Sequence, residues 1–191
     1  MNIITDKLPE SITFKGTEYP IKTDFKVWLK FYEIMTDRVK SPAEKFTDAV
    51  LCCFDSEKCK KLPDSYEETA ALLFNFFAGM PSEQGAKKSA EKVFDFAEDA
   101  KYIFASFFQE YGIDLSESAM HWFKFLALLN GLSENSLLKR VIAWRSIDLS
   151  EIKDTKRRSL CLKMKQIYRL KGNGDRALTE EAIAEELSKA F

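Results

Sequence analysis

Large aromatic side chains dominate the sequence, and residues that form turns are scarce. Phenylalanine occurs 16 times in the 191 residues, whereas glycine occurs seven times and proline five times. Each buried ring removes a large apolar area from water, so these rings must meet in a core or be covered by a partner. Because a fold of many short strands needs more turn residues, the composition favours helices.

The N-terminal part of the chain predicts a β-hairpin over residues 10–22. Ile12 and Phe14 alternate with polar residues before the turn pair Lys15-Gly16, and Pro20 excludes a helix interior beyond it. An isolated hairpin is marginally stable, and we therefore expect it to pack on a helical body.

From residue 23 onwards, apolar residues recur at the three- and four-residue spacing of helices. Ser41-Pro42-Ala43-Glu44 reads as a capping box with proline at the first helical position. We expect helices to end at Gly79 and Gly112. Other predicted N-caps are Asp64 or Ser65, Ser133, Asp154 and Thr179. The predicted fold class is mainly α: a compact bundle of seven or eight short helices with a small N-terminal β-hairpin.

The length favours a single domain, residues 1–191. Residues 81–90 form a polar linker candidate, and the alternative is therefore two helical lobes, 23–80 and 91–171. The glycines in Gly172-Asn173-Gly174 predict a loosely attached C-terminal helix at 179–190, with Ile183 and Leu187 on its apolar side.

Neither a signal peptide nor a membrane span is readable in the sequence, which predicts a cytoplasmic protein that does not enter membranes. We expect its cysteines to form no disulfide in that reducing compartment. Cys52, Cys53 and Cys59 lack the paired spacing of zinc ligands, and core cysteine is the better interpretation. No metal or other cofactor is expected.

Catalysis has little support in the sequence. Any triad must use His121, the one histidine, with Asp114 to orient it, but no G-x-S-x-G turn is present. The alternative is that His121 begins the helix at Met120–Asn130 and makes a structural hydrogen bond. The carboxylates Asp95, Glu98 and Asp99 suit helix starts, where the macrodipole favours negative charge. We therefore expect no enzymatic activity.

Basic residues concentrate near the C-terminal end. Between Leu138 and Lys171 the chain has eleven lysines and arginines and three acidic residues, although its net charge is −1. This asymmetry suits an acidic partner, or self-association between acidic and basic ends. A solvated helix face is an equally simple interpretation. Nucleic acid is less favoured because aromatic residues are few among these charges.

Aromatic residues on two predicted helices exceed what one helical stripe can bury, so some are expected to line a groove for a partner helix. The alternative is a small core built from phenylalanine. The candidate partner-binding residues are the aromatics Phe104, Phe108 and Trp122 and the cations Arg140, Arg145, Arg157, Arg158 and Lys165.

Several stretches resemble the bacteriophage gene product fifteen family of phages and prophages of Gram-positive bacteria. They are Asp24 to Trp28 after the hairpin, Phe94 to Phe107, Tyr111 to Leu115, His121 to Phe125, and Trp144-Arg145-Ser146 with the lysine-rich helix that ends at Tyr168. The resemblance implies a protein of the tail-morphogenesis region, expected to be a tail assembly chaperone that keeps the tape-measure protein soluble. It implies no catalytic residues. The alternatives are a structural tail or connector component of the virion and a nucleic-acid-binding regulator.

Overall fold

A computed structural model of the chain describes residues 2–58, 66–79 and 92–171, with no side-chain description for residues 66 and 67. It confirms the mainly α class with an N-terminal hairpin. The strands are β1 (Ser11–Phe14) and β2 (Thr17–Pro20). The helices are α1 (Phe25–Thr36), α2 (Pro42–Cys53), α3 (Tyr66–Ala78), α4 (Ala100–Tyr111), α5 (Trp122–Asn130), α6 (Leu137–Ser146) and α7 (Thr155–Ile167), with a single 3-10 turn at Leu149–Glu151 before α7.

The hairpin forms where the alternation of apolar residues placed it. β1 and β2 are antiparallel, with Ile12 opposite Tyr19 and Phe14 opposite Thr17. The two turn residues, Lys15 and Gly16, have φ angles of 48° and 79°. This left-handed pair matches the twist of the flanking strands and gives the favoured two-residue hairpin turn.

Most predicted helix ends are confirmed, but one cap is wrong. Ser41 and Glu44 form the predicted capping box at α2, Asp154 caps α7, and Gly112 ends α4 with a left-handed backbone. Ser133 does not cap α6; Ser136 does, because its hydroxyl accepts from the Lys139 N–H. Ser133 instead donates from both its amide and its hydroxyl to the Glu110 carboxylate, which lowers the pKa of Glu110.

The chain divides into two units, Met1–Gly85 with Ile113–Gly131, and Ala86–Gly112 with Leu132–Phe191. We call them the first and second unit. In the described residues, the first unit contains the hairpin, α1, α2, α3 and α5, and the second contains α4, α6 and α7. The predicted lobes 23–80 and 91–171 differ from this division at α5, which belongs with the N-terminal elements.

Aromatic packing and backbone pairing join α5 to the rest of the first unit. Phe25 stacks on Phe125 with ring centroids 4.9 Å apart, and the ring centroids of Trp28 and Phe76 are 4.5 Å apart. The backbone of Asp24 pairs with that of His121 in an isolated β-bridge. Residues more than 90 positions apart therefore share one aromatic core.

The second unit is built on contacts of α6 with α4 and α7. Ile103 and Phe107 of α4 are buried, as are Leu138 and Val141 of α6. The buried hydroxyl of Ser106 accepts a hydrogen bond of 3.0 Å from the Leu138 N–H, which satisfies a donor in the first turn of α6.

Four predictions lie outside the described residues: Cys59 as a core cysteine, the cap at Asp64 or Ser65, the linker 81–90, and the C-terminal helix 179–190 with its cap Thr179. In the part of the chain that is described, no helix has the length and apolar character that crossing a membrane requires.

Candidate partner-binding surface

His121 occupies the N-cap of α5 rather than a cleft. Its Nδ1 accepts a hydrogen bond of 3.1 Å from the Phe123 N–H, so the neutral ring carries its proton on Nε2. Nε2 lies 3.0 Å from the carbonyl oxygen of Pro9 and can donate to it. Both ring nitrogens are thus engaged with backbone, which leaves neither to act as a general base.

Replacing His121 with alanine should lower the free energy of unfolding by about 1–2 kcal/mol, because the cap to Phe123 is lost. His121→Asn should retain most of that stability, since asparagine is a good N-cap residue. Urea unfolding of both variants measures the effect. Equal losses in the two variants would contradict the capping role.

The cysteines of α2 differ in their surroundings. Cys53 is buried, as predicted, whereas Cys52 is only partly buried. A hydrogen bond from Cys53 lowers the pKa of Cys52 to about 7, and the same bond together with burial raises the pKa of Cys53. Among the described residues, no three histidine, cysteine or carboxylate side chains are grouped to hold a metal ion.

Arg145 was predicted on the charged partner-binding face, and the structure places it in the interior of the second unit. Its Nη1 and Nη2 each donate to the Asp99 carboxylate at 2.7 Å. Its Nε also donates to the Tyr168 carbonyl oxygen, and its Nη1 to that of Val93. Both side chains of the pair are buried. Arg145 is therefore a structural cation and is removed from the solvent-facing candidates.

Of the carboxylates expected to serve a helix start, Asp99 lies at one, the N-cap position of α4, and Asp95 lies just before the turn that leads to it. Asp95 accepts from the N–H groups of Ala97 and Glu98. Asp99 precedes α4 but makes no capping bond with its side chain, which is directed instead to Arg145. No local sequence signal distinguishes the two, because the partner of Asp99 is 46 positions away.

Trp122 also proves to be interior. It is fully buried, its Nε1–H donates to the Phe77 carbonyl at 2.9 Å, and its ring stacks on those of Phe77 and Phe125. A partner has no access to this ring, so Trp122 belongs to the core and not to a groove for a partner helix.

Phe104 and Phe108 of α4 face solvent, as does Phe74 of α3 in the first unit. The two α4 residues lie one helical turn apart and are 39% and 57% exposed. Their rings stack with centroids 6.3 Å apart. Lys101, one turn before Phe104, is exposed as well and lies over the Tyr102 ring. The outer face of α4 is thus an apolar stripe with a cation at its start.

Helix α7 carries a second stripe that the sequence analysis did not single out. Leu160 and Ile167, seven residues apart, are 54% and 60% exposed. Lys156, four residues before Leu160, and Lys163, between Leu160 and Ile167, are exposed as well, so all four side chains lie along one helix face. Apolar residues at this spacing are typical of helices that pair with another helix. The lysine stems extend its apolar area.

A cavity of about 250 Å³ lies between the start of the α4 stripe and the end of the α7 stripe. Its lining includes Lys101 from the α4 stripe and Ile167 from the α7 stripe, with Tyr102, Arg169 and Lys171. Glu98 is the one acidic side chain in this lining, and it accepts from the Lys171 N–H. We call the two stripes with this cavity the α4–α7 surface. Its chemistry, apolar and strongly basic, suits an acidic amphipathic helix.

The other predicted cations have separate positions. Arg140, Arg157 and Arg158 are exposed, whereas Lys165 is partly buried and its Nζ donates to the Ile147 carbonyl. Their role in partner binding stays a prediction.

The fold and this surface define a small, mainly helical protein with one exposed surface that is apolar and basic. Comparison with protein families adds the identity: the family described as Bacteriophage Gp15 protein matches residues 4–170. The chain therefore belongs to the bacteriophage Gp15 protein family, as the sequence resemblance indicated. No curated protein and no solved structure matched the chain.

Proposed function

We propose that this Gp15 family protein is a non-enzymatic tail assembly chaperone, which binds the tape-measure protein in the host cytoplasm and keeps it soluble until the tail tube forms. The observation that carries the proposal is the α4–α7 surface, with its exposed Phe104, Phe108, Leu160 and Ile167 beside basic side chains. A long helical client exposes apolar stripes that such a surface can cover.

The charge of the surface supports reversible binding. Lysine and arginine side chains at an interface rim speed association and orient a partner, but they add little affinity once salt screens them. A chaperone must release its client, and an exposed basic rim around a limited apolar area is consistent with release.

Co-expression with the tape-measure protein of the same phage or prophage tests the proposal. The chain should increase the soluble fraction of that protein, and Phe108→Ser with Ile167→Ser should abolish most of the increase. Losing two exposed apolar side chains that the client would cover should weaken binding by at least about tenfold. A matched control is Leu51→Ser, which changes an exposed apolar residue of α2 in the first unit. An unchanged soluble fraction with the native chain would argue against the chaperone role.

Mass spectrometry of purified particles separates the chaperone from a retained tail or connector component. A chaperone should be absent from mature virions, and a copy number comparable to that of tail proteins would favour the structural alternative.

A further inference from the structure

The C-terminal end of the described chain emerges at the α4–α7 surface. After α7, Leu170 is buried, and the Lys171 N–H donates to Glu98 at 2.9 Å. Lys171 itself lines the cavity together with Ile167. Whatever follows Lys171 in the sequence therefore starts directly beside the apolar and basic side chains of that surface.

The sequence that follows has the complementary composition. Residues 179–191 read TEEAIAEELSKAF and contain four glutamates and one lysine. Ile183, Leu187 and Ala190 recur at four- and three-residue spacing, a sequence pattern typical of one side of an amphipathic helix. Leu160, Lys163 and Ile167 on α7 have the same two spacings in the reverse order. An acidic, apolar segment thus lies next in sequence to a basic, apolar surface.

We propose that residues 179–191 bind the α4–α7 surface of their own chain and compete there with the client. Ile183 and Leu187 would cover Leu160 and Ile167, and the glutamates would lie near Lys156 and Lys163. The competition with a client rests on the proposed chaperone function, whereas the intramolecular contact does not.

The connecting sequence is long enough for this contact. Residues 172–178, GNGDRAL, can extend over about 25 Å. The distance along α7 from Ile167 back to Leu160 is about 10 Å. A segment tethered this closely has an effective concentration in the millimolar range, so weak complementarity suffices for occupancy.

Occupation by the segment would give the chain two properties that a chaperone needs. The exposed apolar side chains would be covered before a client arrives, which limits aggregation. A client would bind only if it displaced the segment, so the segment sets the affinity and assists release.

The test is a comparison of amide NMR spectra of the full-length protein, without any client. Ile183→Ser with Leu187→Ser should shift the amide signals of residues 156–171 and of Lys101, because the contact is lost. The matched control combines Ala184→Ser with Ser188→Ala, two positions beside the apolar stripe, and should leave those signals in place. Lys156→Glu with Lys163→Glu, changed on the opposite side of the contact, should shift the amide signals of residues 179–191.

Signal changes confined to residues 172–191 in the first variant would overturn the proposal. A second result would overturn it too. If the signals of residues 156–171 in the native protein move to their positions in the first variant when the native protein is diluted, the contact is with a second copy of the chain. Neither result bears on the co-expression experiment, so the two proposals can fail separately.

Discussion

Arg145→Ala should destabilise the second unit by about 3–5 kcal/mol, the cost of leaving a buried charge without its partner. The carboxylate of Asp99 has no solvent exposure and is held by two hydrogen bonds from the guanidinium. Removing the cation would also free the carbonyl oxygens of Val93 and Tyr168. Urea unfolding measures the loss in the free energy of unfolding, and amide hydrogen exchange in α4 and α6 shows whether the loss falls on the second unit.

Two comparisons make this prediction specific. Arg140→Ala, an exposed change on the same helix, should alter the free energy of unfolding by no more than about 0.5 kcal/mol. Replacing the pair together, Arg145→Met with Asp99→Leu, should recover much of the stability, because an apolar pair removes both buried charges. If Arg145→Ala proves as mild as Arg140→Ala, the buried ion pair is not what holds α4 to α6.

Trp122→Ala should destabilise the first unit by about 3–5 kcal/mol through the cavity it creates between α3 and α5. The variant Trp122→Phe keeps an aromatic ring but loses the pyrrole part of the indole with its N–H. It should cost about 1–3 kcal/mol, since the Phe77 carbonyl then lacks its donor and a smaller cavity remains. Thermal unfolding of the two variants measures both losses, and Trp122→Ala should be the larger.

Phe108→Ala is the complementary control for Trp122. Its ring is mostly exposed, so its removal should change stability by less than about 1 kcal/mol while weakening client binding. Trp122 should behave in the opposite way, with lost stability and no specific effect on binding in the fraction that remains folded. The reverse pattern would restore Trp122 to the partner-binding residues.

Local sequence patterns were sufficient for the hairpin and for most helix ends. Alternation about Lys15-Gly16 predicted the paired strands, and the capping box at Ser41 predicted the start of α2, because both depend on residues a few positions apart. The same reasoning misplaced the start of α6. Ser133 and Ser136 are both competent caps, and the contact of Ser133 with Glu110 on α4 decides between them.

The candidate site was harder to predict because exposure is a property of tertiary packing. Arg140 and Arg145 lie on one helix and look alike in sequence, yet only Arg145 is buried, where it pairs with Asp99. Phe104 and Phe107 likewise differ only in the helix face they occupy. Leu160 and Ile167 were hidden among basic residues, although their seven-residue spacing is a readable signal.

The assignment of α5 to the first unit has a consequence for synthesis on the ribosome. Translation delivers α1 to α3 first. The indole of Trp122, which completes their core together with the ring of Phe125, follows 45 residues after Phe77 near the end of α3. At about 5–20 residues per second, α5 is synthesised several seconds after α3, and the aromatic side chains of α1 and α3 lack their packing partner during that time. α4 is translated within that interval, and α6, on which it packs, is translated later still. Each unit can therefore complete its core only when the last third of the chain is being synthesised.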